Sequence, residues 1–351
     1  MKKITALALL SIALVSCKKE TKTVTKIDPE TGKTITVEVP AEDSAKIENQ
    51  LGENPAIKDS LGIYKQSFKL EKGQTYPLIT HQKETQTMTA PNGQSQNGTN
   101  ETTDEMSFTV DNFENGIYNI TINLLGKRNS QSANGQTISI DTKQAEPKEE
   151  QLKMMWKVNK ALVGNKLNLK MNQSGKVISI TGFDVVYNKI LTSVGSLVKE
   201  KEHKNAFMKN FKEGFNEKVL KDQFMKNLVL IPAKGAKIGE KWTETENATP
   251  DGKVKLSTVY TLKSVENGIA EISVSGGIPK KSDKMTQEGV TRSMTSELSQ
   301  NGTIKLDQNT GWIKNQIISV KTAQSETLSD GKESQTMKTT SNSTVEVNPG
   351  K

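Results

Sequence analysis

The sequence predicts an α+β fold, predominantly antiparallel β, with two related curved β-sheet halves and a helical insertion between them. Three observations predict it. Hydrophobic residues are only 33% and aromatics 5% of the 351 residues, while Ser, Thr, Asn, Gln and Lys are abundant, as sheets with one solvated face require. Apolar and polar positions alternate around Asn-Gly turns, the strongest short-range hairpin signal. Between the alternating stretches the period changes from two to near four, the mark of amphipathic helix.

The chain opens with Lys2 and Lys3, an apolar run from Ile4 to Val15 and the tetrad Leu14-Val15-Ser16-Cys17. The order is that of an export signal, and the run is shorter than the roughly 20 residues a spanning helix needs. The tetrad resembles the lipobox of bacterial lipoproteins. That resemblance implies cleavage after residue 16 and acylation of Cys17, anchoring the chain in a membrane through at least two acyl chains. Cys17 is the one cysteine, so no intramolecular disulfide can form, and acylation gives its thiol a use.

Residues 1–16 are therefore expected to be a signal peptide and residues 17–58 a flexible tether, poor in apolar side chains and interrupted by Pro29, Pro40 and Pro55. Within it, Asp28–Val39 has a hairpin-like pattern with Thr31-Gly32 as its turn. Asp43-Ser44-Ala45 and Asp59-Ser60-Leu61 resemble an O-glycosylation acceptor of some Gram-negative envelope proteins.

The first β-rich half spans 59–184, with a short helix near 149–161 introduced by Pro147 and carrying Leu152, Met155 and Trp156. A helical segment at 185–231 follows. Val186, Ile190 and Val194 share one face, Phe207, Phe211 and Phe215 recur at i+4, and Leu220, Phe224 and Leu228 do the same. Asp184 and Asn216 suit N-caps, and Pro232 stops the run. The second β-rich half spans 232–351.

The halves resemble each other. Phe108-Thr109-Val110 to Asn115-Gly116-Ile117 lines up with Tyr260-Thr261-Leu262 to Asn267-Gly268-Ile269, and Gly73–Tyr76 with Gly239–Trp242. Leu167–Met171, Ser174-Gly175 and Val177–Ile180 share a strand, turn, strand plan with Ile304–Leu306, Thr310-Gly311 and Trp312–Val320. Unequal spacing between the matches points to loop insertions.

No catalytic, cofactor or metal constellation stands out. His81 and His203 are the two histidines, too few for a histidine-based metal site. Phosphate loops and nucleophile elbows are missing, and the acid pair Glu149 and Glu150 suits a helix start. The formal charge of +8 falls by two when Lys2 and Lys3 leave with the signal. Arg occurs only at 128 and 292 and aromatics are sparse, which argues against a nucleic-acid partner. Residues able to contact a ligand are Trp156, Phe207, Phe211, Trp242 and Trp312, although Trp and Phe at such spacings are ordinarily core.

The lipobox, the Gly239–Trp242 motif after a Phe/Leu-rich helix and Pro232, and Thr310-Gly311-Trp312 together resemble an uncharacterised family, a domain of unknown function, of β-rich Gram-negative envelope lipoproteins. The resemblance covers most of residues 60–348 and brings no functional residues. It implies an outer-membrane, lipid-anchored location, on the periplasmic or the cell-surface face. The expected role is non-enzymatic: a binding or structural lipoprotein that holds an apolar ligand between a curved sheet and the helices. The competing expectations are a surface adhesin or envelope-complex subunit, with an envelope protein as partner, and a hydrolase with an unrecognised site.

Overall fold

A computed structural model describes residues 21–27, 34–40 and 55–349, apart from 196 and 250. The expected signal peptide, Cys17, the expected turn at Thr31-Gly32 and Asp43-Ser44-Ala45 lie outside the described residues. The chain divides at Asn54 and Pro55 into two units. In the first, β1 (Thr21–Ile27) and β2 (Thr34–Pro40) pair antiparallel with Val24 opposite Val37. Thr, Val and Ile recur along both strands, residues that favour the extended chain. The hairpin thus starts further upstream than Asp28.

The second unit is α+β and mainly antiparallel β. A ribbon of β3 (Ile57–Ser60) and β4 (Ile63–Gln66) comes first. The first half follows as β5 (Thr75–Thr89), β6 (Ser95–Glu114), β7 (Ile117–Ala133), β8 (Gln136–Asp141), α1 (Glu150–Leu162), β9 (Lys166–Asn172) and β10 (Val177–Thr181). Three helices intervene: α2 (Phe183–Gly195), α3 (Lys201–Gly214) and α4 (Glu217–Leu228). The second half is β11 (Lys241–Asn247), β12 (Lys255–Glu266), β13 (Ile269–Gln287), β14 (Val290–Asp307) and β15 (Ile313–Ser329), and β16 (Ser334–Val347) ends the chain.

Both halves share one twelve-stranded sheet, ordered β10-β9-β7-β6-β5-β16-β15-β14-β13-β12-β11, with β8 beside β7. The last strand of the second half therefore lies next but one to the first strand of the first half. β16 fills the gap between them. The helical insertion carries the chain from the β10 edge to the β11 edge.

The matched segments occupy equivalent positions. Tyr76 pairs with Phe108 as Trp242 pairs with Tyr260, and Ile120 pairs with Leu169 as Ile272 pairs with Ile304. Asn115-Gly116 and Asn267-Gly268 take positive φ at both residues, the geometry of a type I′ turn. The later turns also agree. The Asn172 side-chain oxygen accepts from Ser174 and Lys176 N–H groups, and Asp307 accepts from Asn309 and Thr310.

Those two turns are held by residues 56–69. Phe68 N–H donates to Gln173 O at 2.7 Å, and Ile57 N–H to Gln308 O at 2.9 Å. The strap passes so close that a Cβ on Gly175 would sit 2.5 Å from the Phe68 ring, and one on Gly311 2.0 Å from Ser67 O. Only glycine accepts that approach together with positive φ. Gln66 completes the clasp with four hydrogen bonds: Nε2 to Leu228 O and Gly311 O, and Oε1 from Leu230 and Ile231 N–H.

At the junction of the halves, Asn348 follows β16 with φ 48°. Its amide donates to Pro77 O and Ile313 O and accepts from Ile79 N–H. One buried side chain thus bridges β5 and β15 where β16 stops.

Helix placement follows the periodicity. Val186, Ile190, Val194, Leu220, Phe224 and Leu228 are buried. Asn216 Oδ1 caps α4 by accepting from Val219 N–H at 3.0 Å. Asp184 is not a cap, because α2 already begins at Phe183 and the aspartate lies in its first turn.

Candidate functional site

Strand register assigns every sheet residue to one of two faces. The inner face, which carries the core, includes Leu78, Phe108, Ile120, Leu169, Leu262, Ile272, Ile304 and Val347, all buried. The helices cover its first half, with their main sheet contacts on β7, β8 and β10. Aromatic rings pack on this face beneath the helices. Phe108 stacks edge-on to Phe224 with centroids 5.2 Å apart and lies 5.1 Å from Trp312, and Phe68 packs 6.3 Å from Trp312.

Of the aromatic residues singled out in the sequence, only Phe207 and Phe211 meet each other. Trp312 is buried at the junction and donates to Pro77 O at 3.1 Å. Trp156 lies on α1, donates to Asp141 O and has Lys160 over its ring. Phe207 and Phe211 stack on each other along α3, half-buried against the core. Trp242 stacks on Tyr260 at 5.7 Å and 15°, and its buried indole N–H has no hydrogen-bond partner among the described residues. Burial, with Glu244 and Glu246 nearby, pushes the Tyr260 phenol up to about 12.

Beyond the core the strands run on, and here the halves differ. Following the inner face outward, the first half presents Asn129, Thr102 and Gln82, then Gln131, Asn100 and Glu84. The second half presents Val345, Ile318 and Val274, then Val320, then Leu298, Ile278 and Leu256. All of these except buried Val274 are half-buried. Hydroxyl and amide groups interleave with them: Gln300 donates to Thr258 at 2.6 Å, and Thr322 bonds Ser341 at 2.9 Å. The result is an apolar stripe along β12–β16, continuous with the core at one end and outside the helices' main contacts.

The sequence reading missed this stripe. Its signal is intermittent, because Val274 and Ile278 in β13, Leu298 in β14 and Ile318 and Val320 in β15 share their face with Gly276, Gln300, Gly302 and Thr322, and which residues line up across strands depends on register.

Catalytic geometry is sparse. His81 Nδ1 bonds Thr103 at 3.1 Å, and exposed His203 pairs with Glu200 at 3.0 Å within α3's start. Among the described residues no group of three His, Cys, Asp or Glu is placed to hold a metal, and no helix is long and apolar enough to cross a membrane.

The model of a family of unknown function (DUF6263) matches residues 115–313, more than half of the chain. The chain belongs to this family. DUF6263 thus covers both Asn-Gly hairpins' second strands, the four helices among the described residues and the β12–β14 part of the stripe. Among curated proteins none matches the chain.

Solved structures with some likeness include lipovitellin, from a structure titled for its lipid-protein interactions. It is 10% identical with a TM-score of 0.35, over 79% of this chain and 25% of lipovitellin. The chain thus spans a quarter of lipovitellin's length. OmpT lacking loop L8, an outer membrane protein of Vibrio cholerae, is 7% identical with a TM-score of 0.16, over 77% of this chain and 99% of that one. OpdQ of Pseudomonas aeruginosa is 6% identical with a TM-score of 0.13, over 74% and 68%. None of the three carries a functional argument.

Proposed function

We propose that this DUF6263 protein is a non-enzymatic lipoprotein of the outer membrane, anchored through acylated Cys17, whose sheet holds an elongated apolar ligand. The observation that carries the ligand reading is the stripe Val345, Ile318, Val320, Leu298, Ile278 and Leu256, half-buried on the inner face and outside the helices' main contacts. Apolar surface left open beside a packed core gains free energy when a ligand covers it, at about 25 cal/mol per Å². In this reading the ligand lies along the sheet beyond the helices' main contacts, where the half-buried stripe runs. The interleaved Thr, Ser and Gln groups suit a chain-like ligand with few polar atoms.

Two measurements test it. The Cys17→Ala chain leaves the membrane fraction for the soluble one and loses its acyl mass. Organic extraction of the purified protein followed by mass spectrometry returns a bound apolar compound, depleted in a Leu298→Gln, Val320→Gln variant that still folds. Extracts empty for both proteins overturn the ligand reading.

A further inference from the structure

The β3–β4 ribbon is tied to the body at its base and bare at its tip. Ala56 and Ile57 N–H groups donate to Asn309 O and Gln308 O, and Tyr64 exchanges two backbone hydrogen bonds with Ala236, each 2.9 Å. Gly235 lies against Ile63 so closely that a Cβ there would come within 2.5 Å of its side chain. Beyond that grip Lys58, Asp59, Ser60, Leu61 and Gly62 are all exposed. Ser60 pairs with Ile63 across a two-residue turn in which Leu61 and Gly62 take φ 55° and 79°. Asp59 Oδ1 fastens the turn by accepting the Gly62 N–H at 2.6 Å. The Ser60 hydroxyl is therefore held on a projecting corner, without a hydrogen-bond partner among the described residues.

Leu61 does not suit that corner. Asn115, Asn134 and Asn267 fill the same turn position in the Asn-Gly turns, each at φ 52°. Asparagine enters the left-handed region at little cost, whereas an aliphatic side chain is strained there. Leu61 is also 87% exposed, the most exposed large apolar side chain among the described residues. Neither the strain nor the exposure serves the fold, and such an outlier points to a role outside it.

We infer that Ser60 is an O-glycosylation site and that the turn is what the transferase reads, through Leu61 and Asp59. The tract Asp59-Ser60-Leu61 resembles such an acceptor in sequence, and the structure shows it rigid, strained and open at one corner. The neighbouring charge favours a sugar over a phosphate. A dianionic phosphate on Ser60 would be repelled by the adjoining Asp59 carboxylate, and an uncharged glycosyl group would not. Ser60 Oγ attacks the anomeric carbon of a phosphate-activated sugar, and the bond from that carbon to the phosphate oxygen breaks. The phosphate leaves with the electron pair, and the hydroxyl proton passes to a base of the transferase. The inference needs the chain to be exported, as the proposed location has it, and is independent of the apolar ligand.

The test is mass spectrometry of the full chain purified in detergent from its native cells. Trypsin cuts after Lys58 and Lys65 and releases Asp59–Lys65 as one peptide, separate from Asp43-Ser44-Ala45. That peptide carries the added mass of one or more monosaccharides, and fragmentation places it on Ser60. Ser60→Ala abolishes the addition and Ser60→Thr restores it. Leu61→Asn keeps the turn and does not lower the melting temperature, yet the ratio of modified to bare peptide falls by about 10-fold, the discrimination an apolar pocket exerts on a side chain.

A bare Asp59–Lys65 peptide in the parent overturns the inference. So does a phosphate on Ser60, or a Leu61→Asn chain modified to the same extent as its parent. The N-terminal peptide of the same sample separates the two readings. A chain that still carries residues 1–16 overturns the exported location, and one that has lost them while Asp59–Lys65 stays bare overturns the glycosylation alone.

Discussion

Replacing Gln66 by Leu removes four hydrogen bonds while nearly keeping side-chain volume. Nε2 reaches Leu228 O at 2.7 Å and Gly311 O at 3.0 Å, and Oε1 receives Leu230 N–H at 2.9 Å and Ile231 N–H at 3.1 Å. Leucine leaves those four backbone groups without this partner in a partly buried setting. Each such group costs about 1–3 kcal/mol, and partial access to water sets the value near the lower end, so the loss is about 4 kcal/mol. A body of about 300 residues unfolds with an entropy of about 0.6 kcal/mol per kelvin. The melting temperature therefore drops by about 6 °C. Calorimetry on the Cys17→Ala chain reads this directly, and faster hydrogen exchange at the Leu230 and Ile231 amides localises it. Gln66→Glu does not rescue, because a second carboxylate oxygen would face two carbonyls. A Gln66→Leu protein melting within 1 °C of its parent would refute the clasp.

Further outcomes follow from the same reasoning. Asn348→Ala loses three hydrogen bonds and the residue type that tolerates φ 48°, and destabilises by about 2–4 kcal/mol in denaturant titration; Asn348→Gly restores only the backbone share. Gly311→Ala puts a methyl 2.0 Å from Ser67 O at φ 75°, so it costs about 3 kcal/mol or more, seen as loss of soluble protein or a large melting shift. The Tyr260 phenol ionises at about 12 in the folded chain and near 10 once unfolded. Its contribution to stability is whole below pH 10 and disappears as pH rises from 10 to 12, because the unfolded chain gives up the proton first. Tyr260→Phe removes that part of the alkaline decline, and an unchanged decline would show that Tyr260 is not its source.

The parts legible in the sequence were local ones. Asn115-Gly116 and Asn267-Gly268 mark hairpins because two adjacent residues that tolerate positive φ suffice to set a type I′ turn. The faces Val186-Ile190-Val194 and Leu220-Phe224-Leu228 were readable because helical period alone collects them. Asp184 went wrong by two residues, since the helix begins at Phe183 and cap chemistry and first-turn charge look alike in sequence. Trp242 and Trp312 looked like ligand contacts, yet one stacks on Tyr260 and the other closes the junction at Pro77. A tryptophan's partners come from other strands, and sequence spacing does not name them. Gln66 carried no signal at all, since its partners lie more than 160 residues away.

The sequence by itself determined the class of the fold, the hairpins, the helices and the resemblance between the halves, because each depends on neighbours along the chain. Tertiary structure alone decided that both halves share one sheet, with β16 joining the end of the second to the beginning of the first. It also decided which residues align into the stripe. A shift of one residue in any pairing would turn those side chains to the opposite face, and register across strands far apart in the chain is set by packing and not by local pattern.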